Sequence, residues 1–142
     1  MLVRINLKKM LEDIMELVVI VIMLALIEYI VLLARVGSAR IRTGLAAPAV
    51  SGNEEFERHF RVHYNTIEQL ILFIPSIWFF AEYVHVLGAV GLGLVFIIGR
   101  ALYAVNYVKD PASRSLGMML TVLPCYVLVL GALGGAIWTA IS

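Results

Sequence analysis

RALYAVNYVKDPASRS, residues 100–115, places two arginines, two tyrosines, a lysine and an aspartate between two strongly apolar segments. If the entering segment is helical, Arg100, Tyr103 and Tyr107 fall at i, i+3 and i+7 and share one face. Pro111 cannot continue that helix, so the chain turns and Arg114 comes back toward the same place. A polar joint between two apolar helices is what a loop at a membrane surface looks like. Chemistry is to be sought there.

Working outward, the chain has 142 residues, of which 62% are hydrophobic and 15% charged, and its mean hydropathy is +0.96. Both fractions lie far from those of a soluble domain. A bilayer core takes roughly 20 helical residues per crossing, and four apolar stretches are present: 17–34, 70–81, 86–99 and 116–141. The expected fold is an all-α membrane protein, a four-transmembrane-helix bundle over residues 17–142 with an N-terminal extension over 1–16. Arg4, Lys8 and Lys9 imitate a secretory signal, but Glu12, Asp13 and Glu16 intervene and no small-residue cleavage pattern follows, so the first span reads as retained. Residues 1–15, charged at both signs, suit a short interfacial helix or an extension without a role of its own.

A net charge of +1 leaves no field to attract nucleic acid. Cys125 has no second cysteine, which excludes an intrachain disulfide and a cysteine-built zinc site, and no metal site is expected. It reads as a small core residue.

Glu28 interrupts the first span. A carboxylate costs about 2.5–3.5 kcal/mol at the bilayer centre, so Glu28 should lie toward the headgroups or face another helix. The glycine- and proline-punctuated segment after Arg35 is a loop, and Asn53 before Glu54 and Glu55 signals a new helix. That helix carries Glu57, Arg61, Asn65 and Glu68 at steps of four, four and three, a polar stripe entering the bilayer. Pro75 is tolerated in its apolar continuation. His85 reads as a solvated turn residue, and the Gly131/Gly135 pair as a close helix contact. Arg35, Arg40, Arg42, Arg58, Arg61, Lys109 and Arg114 all fall on one side, which makes that side cytoplasmic and places both termini opposite.

Two polar clusters therefore meet at one membrane face. Guanidinium groups beside tyrosines and an asparagine suit a small anionic ligand, with Glu68 available to an amine. The same groups equally suit an internal network of ion pairs that fixes helix positions.

FERHFRVHYNTIE, residues 56–68, resembles the ERxxRAHxNxxE signature of the MAPEG family, membrane-associated proteins of eicosanoid and glutathione metabolism. RSLGMMLTVLPC, residues 114–125, is similar to the RSxxYTxxxLPC stretch of its prostaglandin E synthase and bacterial branch. The resemblance extends from Leu17 to the C-terminus with the right intervening lengths. It implies a homotrimer of four-helix bundles, set in the lipid of a bacterial inner membrane, with a glutathione site at each subunit interface. By position it implies that Arg61, His63, Asn65, Glu68, Tyr103 and Tyr107 contact glutathione, that Arg40 reaches a neighbouring subunit's ligand, and that Arg114, with Ser115 beside it, serves the thiol.

The implied function is a glutathione transferase, or also a glutathione-dependent peroxidase, acting on lipophilic electrophiles from the bilayer. Ile41 and Gln69 depart from the leukotriene C4 synthase branch, and Gly117 and Met118 from the prostaglandin branch, which leaves general transfer as the implied activity. The competing readings are a non-catalytic lipid-binding scaffold of the same fold, and a small proton-coupled exporter using Glu28 or Glu68.

Overall fold

A computed structural model describes residues 2–142, with side chains described from Met15 onward. The side chains of segment 1–15 thus lie, Met15 apart, outside the described residues; its backbone is not a separate short helix but runs on unbroken into the first span, as part of Leu2–Thr43. Four long helices follow one another: α1 (Leu2–Thr43), α2 (Glu54–Tyr83), α3 (Val86–Lys109) and α4 (Ser115–Ile141). The described residues contain no strand. Segments Met15–Thr43, Val86–Lys109 and Pro111–Ile141 are long and apolar enough to cross a membrane. α2 is different in composition, because its first half carries the polar stripe.

Local chemistry sets the helix ends. Asn53 Oδ1 accepts from Phe56 N at 3.1 Å and satisfies one of the free donors at the start of α2, where Glu54, Glu55 and Glu57 meet the positive end of the helix dipole. His85, expected as a solvated turn residue, is exposed and also caps α3, its Nδ1 accepting from Gly88 N at 3.0 Å. Between α3 and α4 a single 3-10 turn, Pro111–Arg114, begins where Asp110 Oδ1 accepts from Ala112 N at 3.0 Å. Ser113 Oγ closes the turn by donating to Asp110 O at 2.7 Å. The turn returns the chain and delivers Arg114 beside the last turns of α3.

The core is drawn from all four helices. Val18, Val21 and Ala25 of α1 meet Phe73 and Ile77 of α2, Phe96 of α3 and Leu128 of α4, and the Phe73 and Phe96 rings stack at 4.0 Å. Cys125 is buried there as a core residue. The exterior is also apolar: Ile20, Ile30, Ile71, Ile98, Leu123 and Leu130 are each more than half exposed. Such a surface is stable against hydrocarbon and unstable against water.

Glycines let the helices close. A Cβ on Gly99 would stand 2.7 Å from Leu120 Cβ, and one on Gly117 would collide with the Tyr103 backbone, so α3 and α4 touch at these two points. Gly131 and Gly135 meet Phe80 and Tyr83 at the far end of α2, the close contact expected of that pair.

Candidate functional site

Asn65 and Tyr103 form the centre of the site. Asn65 Nδ2 donates to the Tyr103 hydroxyl oxygen at 2.6 Å, joining α2 to α3 across 38 residues of sequence. The phenol proton remains available to a ligand, since a hydroxyl both accepts and donates. Tyr107 lies one turn further along α3 with its ring 5.4 Å from that of Tyr103. The Arg114 guanidinium carbon is 5.8 Å from the Tyr107 ring centre, within the range of cation–π attraction. Asn65, Tyr103, Tyr107 and Arg114 thus form one unbroken run from α2 through α3 to the start of α4, with Ser115 exposed as the first residue of α4.

Arg61 and Glu68 flank Asn65 at steps of four and three and are exposed. Among the described residues, neither they nor Arg114 takes part in an ion pair. The ion pairs that are described lie elsewhere: Arg42 with Glu55 at 2.7 Å, which ties the end of α1 to the start of α2, and Arg58 with Glu54 within α2. Of the two readings left open by residue chemistry, the internal network accounts for Arg42, Arg58 and the first turn of α2. It does not account for Arg61, Glu68 and Arg114. Glu57, counted in the stripe, is committed to the loop, where its Oε1 accepts from Gly52 N at 2.8 Å.

Of the remaining candidates, His63 faces α1 and Arg40 belongs to it. His63 is two residues from both Arg61 and Asn65, about 200° round the helix, and its ring stacks on Tyr29 of α1 at 4.7 Å with its Nε2 buried and unpartnered. Arg40 donates through Nη1 to Leu45 O at 3.2 Å and to Ala49 O at 2.9 Å, and its guanidinium lies 4.4 Å from the Phe56 ring centre. Asn65, Tyr103, Tyr107 and Arg114 are thus gathered where α2 meets α3, with Arg61 and Glu68 on the Asn65 side of α2 by the helical repeat, while His63 turns to α1 and Arg40 stands on α1 itself. His59, one turn before His63, also faces α1: burial, then the Arg42 charge, holds its pKa below the ordinary imidazole value, with Glu55 opposing.

Three supporting groups went unread in the sequence or were read only as members of a cluster. Arg58 Nη1 donates to Val108 O and Lys109 O, both at 3.1 Å, and pins the start of α2 to the free carbonyls at the end of α3. Thr66 is buried and accepts from Arg100, and Asp110 builds the turn that carries Arg114. Of these, only the Asp-Pro pair at 110–111 is a signal legible from sequence. Glu28, the exporter's candidate proton carrier, faces another helix, one of its two expected settings, and lines a groove with Arg35, Ala101 and Ala104.

The MAPEG family model matches residues 18–134. An uncharacterized protein of Synechocystis sp. is 45% identical over 115 residues, 81% of this chain and 84% of its own length. Human microsomal glutathione S-transferase 2 is 39% identical over 101 residues, 70% of this chain and 69% of its own. Bovine leukotriene C4 synthase is 31% identical over 98 residues, 68% of this chain and 65% of its own.

Proposed function

The chain belongs to the MAPEG family, and on that premise we propose that it is a membrane-bound glutathione transferase working at the cytoplasmic face. The observation that carries this reading is the Asn65–Tyr103–Tyr107–Arg114 run flanked by Arg61 and Glu68, which have no ion-pair partner among the described residues. Similarity to microsomal glutathione S-transferase 2 supports glutathione as the ligand. In this reading α2 is the fourth crossing, its polar half entering from the cytoplasmic side.

The chemistry follows from charge. A free thiol has a pKa of about 8.5, and the thiolate is the nucleophile. A guanidinium beside the sulfur favours the thiolate over the thiol, and Arg114 supplies it, with Ser115 at hand as a hydroxyl donor. Arg61 holds a glutathione carboxylate, Glu68 takes the amine, and Asn65 and Tyr103 hydrogen-bond the peptide groups. A lipophilic electrophile arrives from the bilayer; sulfur bonds to its electrophilic carbon and the leaving group departs with its electron pair. With a lipid hydroperoxide the same thiolate attacks the O–O bond instead, and a second glutathione completes the reduction.

Arg40 and His63 face the other way and serve a neighbouring protomer's ligand. Each site then combines the α3 side of one α2 with the α1 side of the next, in a homotrimer. This arrangement gives both sides of α2 a role with no rearrangement of the bundle.

The test is ultraviolet difference absorbance of detergent-purified protein titrated with glutathione, wild type beside Arg114→Ala. A saturable thiolate band lost in the variant is the expected result. Binding with no thiolate band in either protein overturns the transferase in favour of a lipid-binding scaffold.

A further inference from the structure

One turn of α3 deeper than Tyr103 lies a charge that the proposed chemistry does not use. Arg100 is 2% exposed and sits among three helices. From α2, Thr66 Oγ1 accepts from Arg100 Nη2 at 3.1 Å while its own proton goes to Val62 O at 2.6 Å, so this hydroxyl is committed to receiving the guanidinium. On α3, the guanidinium carbon lies 4.2 Å from the Tyr103 ring centre. From α1, Glu28 turns to the same helix and lines a groove with Ala101 and Ala104 of α3. Glu28 Oε1 and Arg100 Nε are both buried and have no hydrogen-bond partner among the described residues.

A buried cation in an apolar bundle is costly, and apolar side chains of similar volume fill such places at no stability loss. Its presence is explained by what it holds in place. A tyrosine ring left to itself turns about two side-chain torsions. Here the planar guanidinium covers one part of the Tyr103 ring, the α4 backbone at Gly117 closes on the residue's main chain, and Tyr107 stands beside it. The phenol oxygen is thereby kept at Asn65 Nδ2.

We infer that Arg100 is a positioning residue: it clamps the Tyr103 ring so that the hydroxyl stays where Asn65 and the ligand meet. The inference rests on the glutathione reading of the site. A lysine in its place keeps the charge but loses the planar fork that stacks on the ring and reaches Thr66 together.

The experiment is a double-mutant cycle on the full-length protein in detergent, reading glutathione affinity by calorimetry and the thiolate band by absorbance. Arg100→Met weakens binding about tenfold when Tyr103 is present, and less than about twofold in the Tyr103→Phe background, because the clamp acts through the hydroxyl. The thiolate band per bound glutathione is unchanged, since Arg114 is intact. Arg100→Lys shows the same loss as Arg100→Met. Equal losses in both backgrounds overturn the inference and assign Arg100 a general packing role. Full recovery by lysine overturns it in favour of charge alone, and a folded Arg100→Met protein with wild-type affinity overturns it outright. Where Arg100→Met does not fold, Arg100→Lys carries the cycle alone, since it keeps the buried charge and loses the planar group on the ring. Absence of glutathione binding by wild type overturns the transferase reading itself, an outcome separate from all of these.

Discussion

Asn65 and His63 stand two residues apart on α2 and face different helices. Asn65 is bonded to Tyr103 of α3 at 2.6 Å, in a run that ends at an exposed arginine. His63 is stacked on Tyr29 of α1 with its Nε2 buried and unpartnered. One side of the helix has Asn65 joined to a tyrosine in a run of polar groups, and the other has His63 held by an aromatic neighbour. Polar groups about 200° apart round one helix turn to different neighbours. Under the proposed transferase reading, the contrast makes the interval between two copies of α2, rather than one bundle, the unit of the site.

The contrast is sharpest at Arg114. Replacing it by alanine should lower transfer about a hundredfold, the scale for removing a charge-stabilising donor, with no change in melting temperature because the side chain is exposed and outside every described ion pair. Turnover and thermal melting on the same preparation check this. Arg61→Ala should raise the KM for glutathione about tenfold and leave kcat near wild type, since the interaction is with the bound carboxylate in both ground and transition states. A fall in kcat instead would move Arg61 from binding to chemistry.

A subunit-mixing experiment addresses the two-sided arrangement itself. Arg114→Ala damages the α3 side and His63→Ala the α1 side. Co-expressed in equal amounts and assayed at low glutathione, they should recover about a quarter of wild-type activity, because random head-to-tail assembly pairs an intact α3 side with an intact α1 side that often. No recovery would place the whole site within one protomer.

The smallest effect concerns His59. Its pKa is held below the ordinary 6.5 by burial and then by Arg42, so the folded state favours the neutral ring. The unfolded chain binds the proton more readily, and the stability tied to this neutral ring is present above 6.5 and lost as pH falls below it. His59→Gln should flatten the pH dependence of melting in that range. An unchanged profile would show that the α1 side of α2 is not sensitive to protonation there.

The legible part of the molecule was local. The lengths of the apolar runs, the Asn53 cap, the Pro111 stop and the spacing of Arg61, Asn65 and Glu68 are properties of consecutive residues, and each structural feature tied to them appears where the spacing places it. The FERHFRVHYNTIE stretch also carried the family. Arg100 and Arg114 show where that legibility ends. They are the same residue type at the two ends of one polar segment, each near a tyrosine, and nothing in their spacing separates them. One is 2% exposed and bonded to Thr66; the other is exposed at the start of α4.

By itself, then, the sequence determined which residues share a side of each helix, where α2 begins and where α3 is stopped, because the helical repeat and capping act within a few residues. Only the tertiary structure decided which side turns to which neighbour. The rotation of a helix about its axis is set by non-local contacts, such as Gly99 against Leu120 and Gly117 against Tyr103. Non-local packing of this kind decided that Arg100 enters the core, that Asn65 meets Tyr103 and that His63 meets Tyr29.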